Sequence, residues 1–548
     1  MRAVLLAAIA GSPAEAAFVE RWGAEPGHPG SHFGSAVVAA GDVNGDGFND
    51  VLVGAPHEDA GQIDEGRVYL FYGTASGPSS SPAWIGESNQ AGALYGSAVA
   101  GLGDIDGDGY DDIAIGAPLY ENGQTDEGAV FVYLGSGAGL TATATFVREG
   151  GQAGALFGAA LGGPGDVDFD GYNDLLVGAP QYTNGQIREG RAMVYFGRDG
   201  NLDISPRWTA ESNQAEAQFG RAVSFCDVDG DLESDVAVGA PYYSGTWPEE
   251  GRVAIYLGGP SGVANSPSWS ALGGRRGVRF GTAVAGLEDI NGDGYSDLGV
   301  GAPGFSVRAR YEGALFVYLG SDTGAQTLST WKLTGGQEEC GFGRSVVDGG
   351  DLNDDGFTDL IAGAVGYSGA YERSGRAFVY FGIEAEPAAR GLPAPTLGAV
   401  LDGNQAGAGF GTAVAGIDIN WDFLGEVLAG AFHHTNPDSA EGRVSWFGYG
   451  TVTTGVQPQR TEWGSISVAP NPARSGVWVS FTLPAAGPAT LELLDIAGRR
   501  VAVREMNSLG AGRHRFDVTS GNSVAPGLYL VRVANGARLA TAKVVVVQ

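Results

Sequence analysis

The sequence predicts an all-β chain, a seven-bladed β-propeller followed by a small β-sandwich. Three observations point there. First, an aspartate-rich loop of the form D-x-[DN]-x-D recurs seven times, with first aspartates Asp42, Asp104, Asp166, Asp227, Asp289, Asp351 and Asp418, at intervals of 62, 62, 61, 62, 62 and 67 residues. Second, an aromatic-Gly pair precedes each loop and a Gly-Ala pair follows it, with short apolar runs bounded by Gly or Pro and no helical period between them. Third, after the seventh unit the acidic loops stop and alternating apolar runs continue to the end.

Composition agrees with this class. Gly is 94 of 548 residues while hydrophobic residues hold at 43%, so the glycines punctuate short strands and do not signal collagen or disorder. A formal net charge of -32 argues against nucleic acid as a partner. The two cysteines, Cys226 and Cys340, fall in non-adjacent repeats and are expected to be unpaired thiols.

The second unit shows the pattern of one blade. It contains Trp84-Ile85-Gly86, Tyr95-Gly96-Ser97-Ala98-Val99, Ile113 to Pro118 and Glu127 to Gly135, four β-type runs. A strand that often carries Trp precedes each aromatic-Gly strand, so the segment Phe18 to Glu25, with Trp22, has no earlier blade to join. The seventh unit ends at Gly442 to Gly448 without a fourth strand. The first segment is therefore expected to complete the last blade and close the ring, which removes two exposed edges.

The acidic loops carry the chemistry. In the first, Asp42, Asn44, Asp46 and Asp50 place oxygens at positions 1, 3, 5 and 9, and the carbonyl of Phe48 at position 7 can add another. Hard oxygen donors in this number suit Ca²⁺, which accepts six to eight ligands, better than Mg²⁺. Four further loops are complete: Asp104, Asp106, Asp108, Tyr110 and Asp112; Asp166, Asp168, Asp170, Tyr172 and Asp174; Asp289, Asn291, Asp293, Tyr295 and Asp297; and Asp351, Asn353, Asp355, Phe357 and Asp359. Two are weaker. The fourth keeps Asp227, Asp229, Asp231 and Asp235 but has Leu232 where the others have Gly, and the seventh keeps Asp418, Asn420, Asp422 and Glu426 but has Phe423 there. Asp-Gly clusters between strands are often only polar turns. Three or four carboxylates converging in nine residues repel one another, however, and a cation relieves that. No loop offers a base, a nucleophile or an open coordination position, so the ions are expected to be structural and the chain is expected not to be an enzyme.

Phe33-Gly34, the D-x-[DN]-x-D-G loop and Gly54-Ala55-Pro56 resemble FG-GAP repeats, the units of the seven-bladed propeller of integrin α subunits, over roughly residues 18 to 449. Val365 and Phe432 depart from the proline of Gly-Ala-Pro in units six and seven. The resemblance implies calcium held in β-hairpin loops and a ligand surface on the opposite face. That face would be built from linkers of eight residues, 57–64, 119–126, 181–188, 242–249, 304–311, 366–373 and 433–440. Tyr120, Tyr182, Tyr242, Tyr243, Trp247, Phe305, Tyr311, Tyr367 and Tyr371 on these linkers are contact candidates, with packing between blades favoured for Tyr120 and Tyr182. The adjacent pair His433 and His434 reads as surface, since neighbours on one loop rarely chelate one ion.

Both ends point outside the cytoplasm. Residues 1–17 combine one arginine, a short apolar run and Ala14-Glu15-Ala16 as a cleavage candidate, so a signal peptide is expected there. No other run approaches the roughly 20 apolar residues of a membrane helix. A polar linker over 450–462 leads to a sandwich over 463–548, with strands expected at 477–481, 489–494, 513–518, 528–533 and 543–547. Pro470-Asn471-Pro472, Asp495 to Arg500 and Gly527-Leu528-Tyr529 resemble the C-terminal sorting domain of bacterial type IX secretion, itself similar to an immunoglobulin-like domain of flagellar hook-capping proteins. That resemblance implies the export machinery as one partner. The expected function is a secreted or surface-displayed adhesion scaffold for an extracellular protein or glycan. A carbohydrate-binding lectin is the alternative, and an extracellular hydrolase such as glycosylphosphatidylinositol-specific phospholipase D, similar only in its propeller, is a third.

Overall fold

The computed structural model describes residues 16–383, 394–420, 424–436 and 439–451, and, toward the C-terminus, 464–468, 477–483, 487–495, 500–509, 512–519, 524, 527–535 and 538–546. Residues 1–15 of the expected signal sequence 1–17, Asp422 and Phe423, residues 452–462 of the linker, Pro470-Asn471-Pro472, and Ile496 to Arg499 of the Asp495 to Arg500 motif lie outside the described residues, whereas Ala16 and Ala17 lie in a strand. Among the described residues there are strands and no helices. The chain divides into two compact units, Met1–Val452 and Thr453–Gln548.

The first unit holds seven four-stranded antiparallel sheets. Sheet one runs Ala36–Gly41, Asp50–Ala55, Arg67–Phe71 and Trp84–Glu87 in simple meander order, and the next five repeat it. The second strand of every sheet is buried along its whole length, as in Asp50–Ala55, Asp112–Ala117 and Asp359–Ala364. Both its faces are covered by neighbouring sheets, so it reads in sequence as an unbroken apolar run and not as an alternation. The first strands touch one another in a closed cycle, each meeting the next and the seventh meeting the first. They line an axial channel with small residues, among them Ala36, Ala98, Ala160, Ala222, Ala283 and Ala413. This is the arrangement of a β-propeller.

Backbone contact between adjacent sheets explains the repeated motif. A Cβ on Gly54 of the Gly-Ala pair would lie 2.1 Å from the carbonyl oxygen of Gly96, the aromatic-Gly glycine of the next sheet. The same clash recurs between Gly116 and Gly158, Gly178 and Gly220, Gly239 and Gly281, Gly301 and Gly343, Gly363 and Gly411, and finally Gly430 and Gly34. Each aromatic-Gly glycine also has a positive φ near 80°, from 79° at Gly411 to 88° at Gly96, which a side chain disfavours. Glycine at both positions lets the two backbones meet directly.

Sheet seven joins Phe410–Ile417, Glu426–Ala431 and Arg443–Thr451 to the N-terminal strand Ala16–Ala24. Ala16 lies opposite Thr451 and Ala24 opposite Val444, with a bulge between Glu20 and Trp22. The strand to Thr451 extends two residues into the expected linker. The N-terminal strand does the work of a fourth strand. Trp22 Nε1 donates to Ser79 O at 3.2 Å, and fourth-strand tryptophans repeat this bond to the following sheet: Trp84 to Thr141 O at 2.9 Å, Trp208 to Ala264 O at 2.9 Å and Trp269 to Gln326 O at 3.0 Å.

The second unit contains a three-stranded sheet, Gly464–Val468, Trp478–Leu483 and Gly512–Asp517, and a four-stranded one, Arg500–Leu509, Gly487–Asp495, Gly527–Asn535 and Arg538–Val546 in spatial order. Val479 and Phe481 of one and Leu491, Leu493, Val531 and Val533 of the other share a single apolar core. The strands Gly464–Val468 and Arg500–Leu509 were not among those read from the sequence; Arg500, Arg504 and Glu505 dilute the apolar alternation of the latter.

Gly116→Ala is expected to destabilise the first unit by about 3 kcal/mol or more, because the new methyl meets backbone that cannot move aside. Gly123→Ala is the control: its φ is 98° but nothing lies within 4 Å, so only the strain of about 1–2 kcal/mol should appear in denaturant unfolding.

Candidate metal centres

Each acidic loop joins the first strand of a sheet to the second. In the first loop the Asp46 N–H donates to Asp42 Oδ1 at 3.0 Å and the Gly47 N–H to Asp42 Oδ2 at 2.8 Å, so the position 1 carboxylate gathers the turn around itself. The position 6 N–H makes the same bond in five further loops, from Gly109 to Asp104, Gly171 to Asp166, Leu232 to Asp227, Gly294 to Asp289 and Gly356 to Asp351. Position 6 is left-handed in these six loops, with φ 92° at Gly47 and 93° at Gly171. Leu232 adopts φ 74° and keeps a 3.1 Å bond to Asp227, so the substitution that marked the fourth loop as weaker leaves its geometry intact.

The position 9 carboxylate is buried and tied at both oxygens. Asp50 accepts from the Val43 N–H at 3.2 Å and from the Gly73 N–H at 2.8 Å, the latter just beyond the third strand of its sheet. Asp112, Asp174, Asp235, Asp297 and Asp359 each accept the corresponding pair of bonds. In the seventh loop Glu426 accepts from the Ile419 N–H at 2.9 Å and Asn420 Nδ2 at 3.2 Å. Burial pushes Asp50, Asp112, Asp174 and Asp297 up to about 8, and Asp235 and Asp359 up to about 7; the backbone donors oppose the rise and the other loop carboxylates add to it.

Position 3 separates the loops into two kinds. Asn44, Asn291 and Asn353 accept the position 5 N–H and donate to the position 5 carboxylate, as in the 2.8 Å and 3.0 Å bonds between Asn44 and Asp46. Where position 3 is aspartate, carboxylate oxygens converge within 4.8 Å of one another: Asp104, Asp106 and Asp108; Asp166, Asp168 and Asp174; and Asp227, Asp229 and Asp235. Burial first, then the neighbouring carboxylates, raises Asp106, Asp168 and Asp229. Asp168 and Asp229 each have a buried Oδ1 without a hydrogen-bond partner. A carboxylate with an orphaned buried oxygen, clustered with two others, is costly alone and suits a hard cation.

The loops are also linked to each other. The position 8 N–H of one sheet donates to the position 1 carbonyl of the preceding sheet, from Asp111 to Asp42, Asn173 to Asp104, Ser234 to Asp166, Ser296 to Asp227, Thr358 to Asp289 and Gly425 to Asp351. The Asn49 N–H donates to Ile419 O at 3.3 Å and its Nδ2 to Asp418 O at 2.8 Å, which closes the chain of loops. The aromatic side chain of position 7 stacks over the position 4 glycine of the preceding loop. A Cβ on Gly45 would meet Tyr110 Cε1 at 2.5 Å, and Gly107 meets Tyr172 and Gly292 meets Phe357 likewise. Only the carbonyl of position 7 was legible in the sequence; the ring lies 65 residues along the chain from the glycine it covers, as Tyr110 does from Gly45, and has no local signal.

At the opposite ends of the strands, the linkers sort the aromatic candidates. Trp247, Tyr311 and Tyr371 are about half exposed, as are the aliphatic Ile63, Ile187 and Val307 or more. Phe305 is buried and packs against Phe316 at 5.3 Å, so it is no contact residue. Tyr120 packs on Phe131 at 5.3 Å, Arg191 stacks on Tyr182 at 3.7 Å, Arg279 lies over Tyr242, Arg252 over Tyr243 and Arg376 over Tyr367. The reading of His433 and His434 as surface needs correction: His433 is exposed but His434 is buried at 6% exposure, against the N-terminal segment that fills sheet seven. Cys226 and Cys340 are free and buried.

The FG-GAP repeat family matches residues 33–71, 95–133, 157–190, 219–256 and 280–318, and the secretion system C-terminal sorting domain matches 467–548. Integrin alpha-IIb of Homo sapiens is 42% identical over 170 residues, 30% of this chain and 16% of that one. Integrin alpha-4 of Xenopus laevis is 41% identical over 154 residues, 27% and 14%, and integrin alpha-PS2 of Drosophila melanogaster 37% over 216 residues, 36% and 14%. The matched segment thus spans less than a fifth of the length of these relatives. A solved structure, described as a novel fungal alcohol oxidase of the AA5 family in complex with copper, aligns at TM-score 0.42 and 12% identity over 98% of this chain and 100% of that one, too low to carry an argument. The sixth and seventh repeats fall outside the matched ranges, yet they form the same sheets.

Two measurements follow. In chelator, the unfolded position 9 aspartates ionise from about pH 4 while the folded ones hold protons to about 7–8, so thermal stability should fall as pH rises through that window. Millimolar Ca²⁺ should flatten the slope, and a cation-independent profile would contradict the metal assignment. Leu232→Gly should stabilise the protein by about 1 kcal/mol by relieving the left-handed residue, read as a raised midpoint in urea.

Proposed function

We propose that this chain, an FG-GAP repeat protein with a secretion system C-terminal sorting domain, is an exported calcium-binding scaffold that binds extracellular protein or glycan ligands. The sorting domain marks it for the cell surface or the medium, and no helix among the described residues is long and apolar enough to cross a membrane. In this reading residues 1–17 are a signal peptide, 18–449 a seven-bladed propeller, 450–462 a linker and 463–548 an immunoglobulin-like sandwich that engages the export machinery.

The observation that carries the calcium assignment is the third and fourth loops, where three carboxylates face one another and one buried oxygen in each lacks a donor. Ca²⁺ supplies the missing charge to oxygen-only ligand sets at positions 1, 3, 5 and 9, and it does so on the hairpins that also link sheet to sheet. Its role is to fasten the ring. Ligand recognition belongs to the opposite ends of the strands, where exposed Trp247, Tyr311 and Tyr371 stand on linkers of constant length and varied content. The proposed activity is binding and not catalysis.

Calorimetric titration of the metal-free protein should show at least five Ca²⁺ sites, with Asp168→Asn losing one. Binding to surface extracts or glycan arrays should require Ca²⁺ and fall at least tenfold in the double variant Trp247→Ala, Tyr371→Ala while its Ca²⁺ stoichiometry stays unchanged. Absence of Ca²⁺ binding rejects the metal; retained ligand binding in that variant rejects the face.

A further inference from the structure

We propose a second class of metal site, a transition-metal clasp formed by Glu25, His434 and Glu441 where the N-terminal segment completes sheet seven. One ligand atom from each of the three lies within 4.8 Å of the others. His434 is the informative member. Its side chain is 8% exposed, and its Nδ1 is buried without a hydrogen-bond partner, 3.7 Å from Glu25 Oε1. That separation is long for a hydrogen bond but near the edge of about 3.3 Å between two ligands of a tetrahedral ion with bonds of about 2.0–2.1 Å.

The repeat frame explains how these groups meet. At the start of each third strand in sheets one, three and six an arginine pairs with an acid on the fourth, Arg67 with Glu87, Arg191 with Glu211 and Arg376 with Asp402. Glu25 fills the acid's place in sheet seven and pairs with Arg443 at 2.5 Å. The second linker residue is Tyr182, Tyr243 or Tyr367 in sheets three, four and six, where the ring lies under the arginine. In sheet seven that place holds His434, and the buried acid of the frame, Glu189 in sheet three, is Glu441. An imidazole has thus replaced a phenol between two carboxylates.

Charge favours occupancy. Glu20 and Glu25 share one guanidinium, Arg443, an excess of negative charge, and Glu441 lies close to Glu25 and the buried imidazole. A divalent ion balances that excess. Arg443 Nη1 and Asn436 Nδ2 donate to the two oxygens of Glu25, at 2.5 and 2.9 Å, as outer partners that orient a metal-ligating carboxylate. One nitrogen and two carboxylate oxygens suit Zn²⁺ or Co²⁺ better than Ca²⁺, with a water in the fourth position. The site differs from the acidic loops in donor chemistry and in place, and it does not rest on the calcium reading. Its effect would be to pin the N-terminal segment to the last sheet, at the one join in the ring not made by consecutive chain.

The test uses the full chain in saturating Ca²⁺, dialysed against Zn²⁺ or Co²⁺, with bound metal measured by elemental analysis and the Co²⁺ form by its visible absorption. One equivalent should be retained, and it should be lost in His434→Tyr, a variant expected to fold because tyrosine stands at this place in other sheets. Glu25→Gln should weaken binding at least tenfold. His57→Ala, which alters the neighbouring edge-to-face cluster of His57, His32 and His433 with ring centroids 4.6 and 5.0 Å apart, should retain the metal. No retained equivalent, retention undiminished in both His434→Tyr and His434→Ala, or loss in His57→Ala would each overturn the assignment.

Discussion

Close approach of backbone to backbone between neighbouring sheets is the constraint on which this architecture depends. At one level a glycine of each Gly-Ala pair meets the carbonyl of an aromatic-Gly glycine in the next sheet, and at another the loop N–H groups bond to the preceding loop's carbonyl. Side chains cannot be inserted at the first level, and the second ties each turn to its neighbour. Seven such contacts in series must close on themselves, so an error in one sheet is passed to the next. The small residues lining the channel follow from the same geometry, since all seven first strands converge on one axis.

The acidic loops sit on this frame as electrostatic liabilities that the fold partly answers by itself. Position 1 and position 9 carboxylates collect backbone N–H groups, which organises the hairpin before any ion arrives. What hydrogen bonds cannot answer is the excess charge. The raised position 9 acids and the orphaned oxygens of Asp168 and Asp229 mark where the frame's donors run out. A cation there would satisfy oxygens that no protein donor reaches, in the loops whose backbone bonds link one sheet to the next.

The join between sheets seven and one concentrates unusual chemistry. Five of the six histidines, His28, His32, His57, His433 and His434, belong to the N-terminal segment and the first and seventh repeats that meet there. His32 meets both His57 and His433 edge to face; burial first, and then those two rings, lower its pKa to about 4. A ring closed by a strand from the far end of the chain cannot rely on loop connection to hold that strand in place. Ion pairs such as Arg443 with Glu20 and Glu25, and the Trp22 bond to Ser79, supply the attachment instead.

The sequence by itself determined the all-β class, the repeat number, the strand order within a unit, the completion of the last sheet by the first segment and the residues of each acidic loop. These are local or periodic, and period survives in sequence. Only the tertiary structure decided which carboxylates converge, that Leu232 keeps the turn of a glycine, that position 7 rings cover the preceding loop and that Phe305 faces inward while Trp247 faces out. It also decided that His434, read as surface, is buried beside Glu25, some 400 residues earlier in the chain. The physical reason is common to all of them: burial and distance between groups on different sheets depend on how the ring closes, and no window along the chain contains both partners.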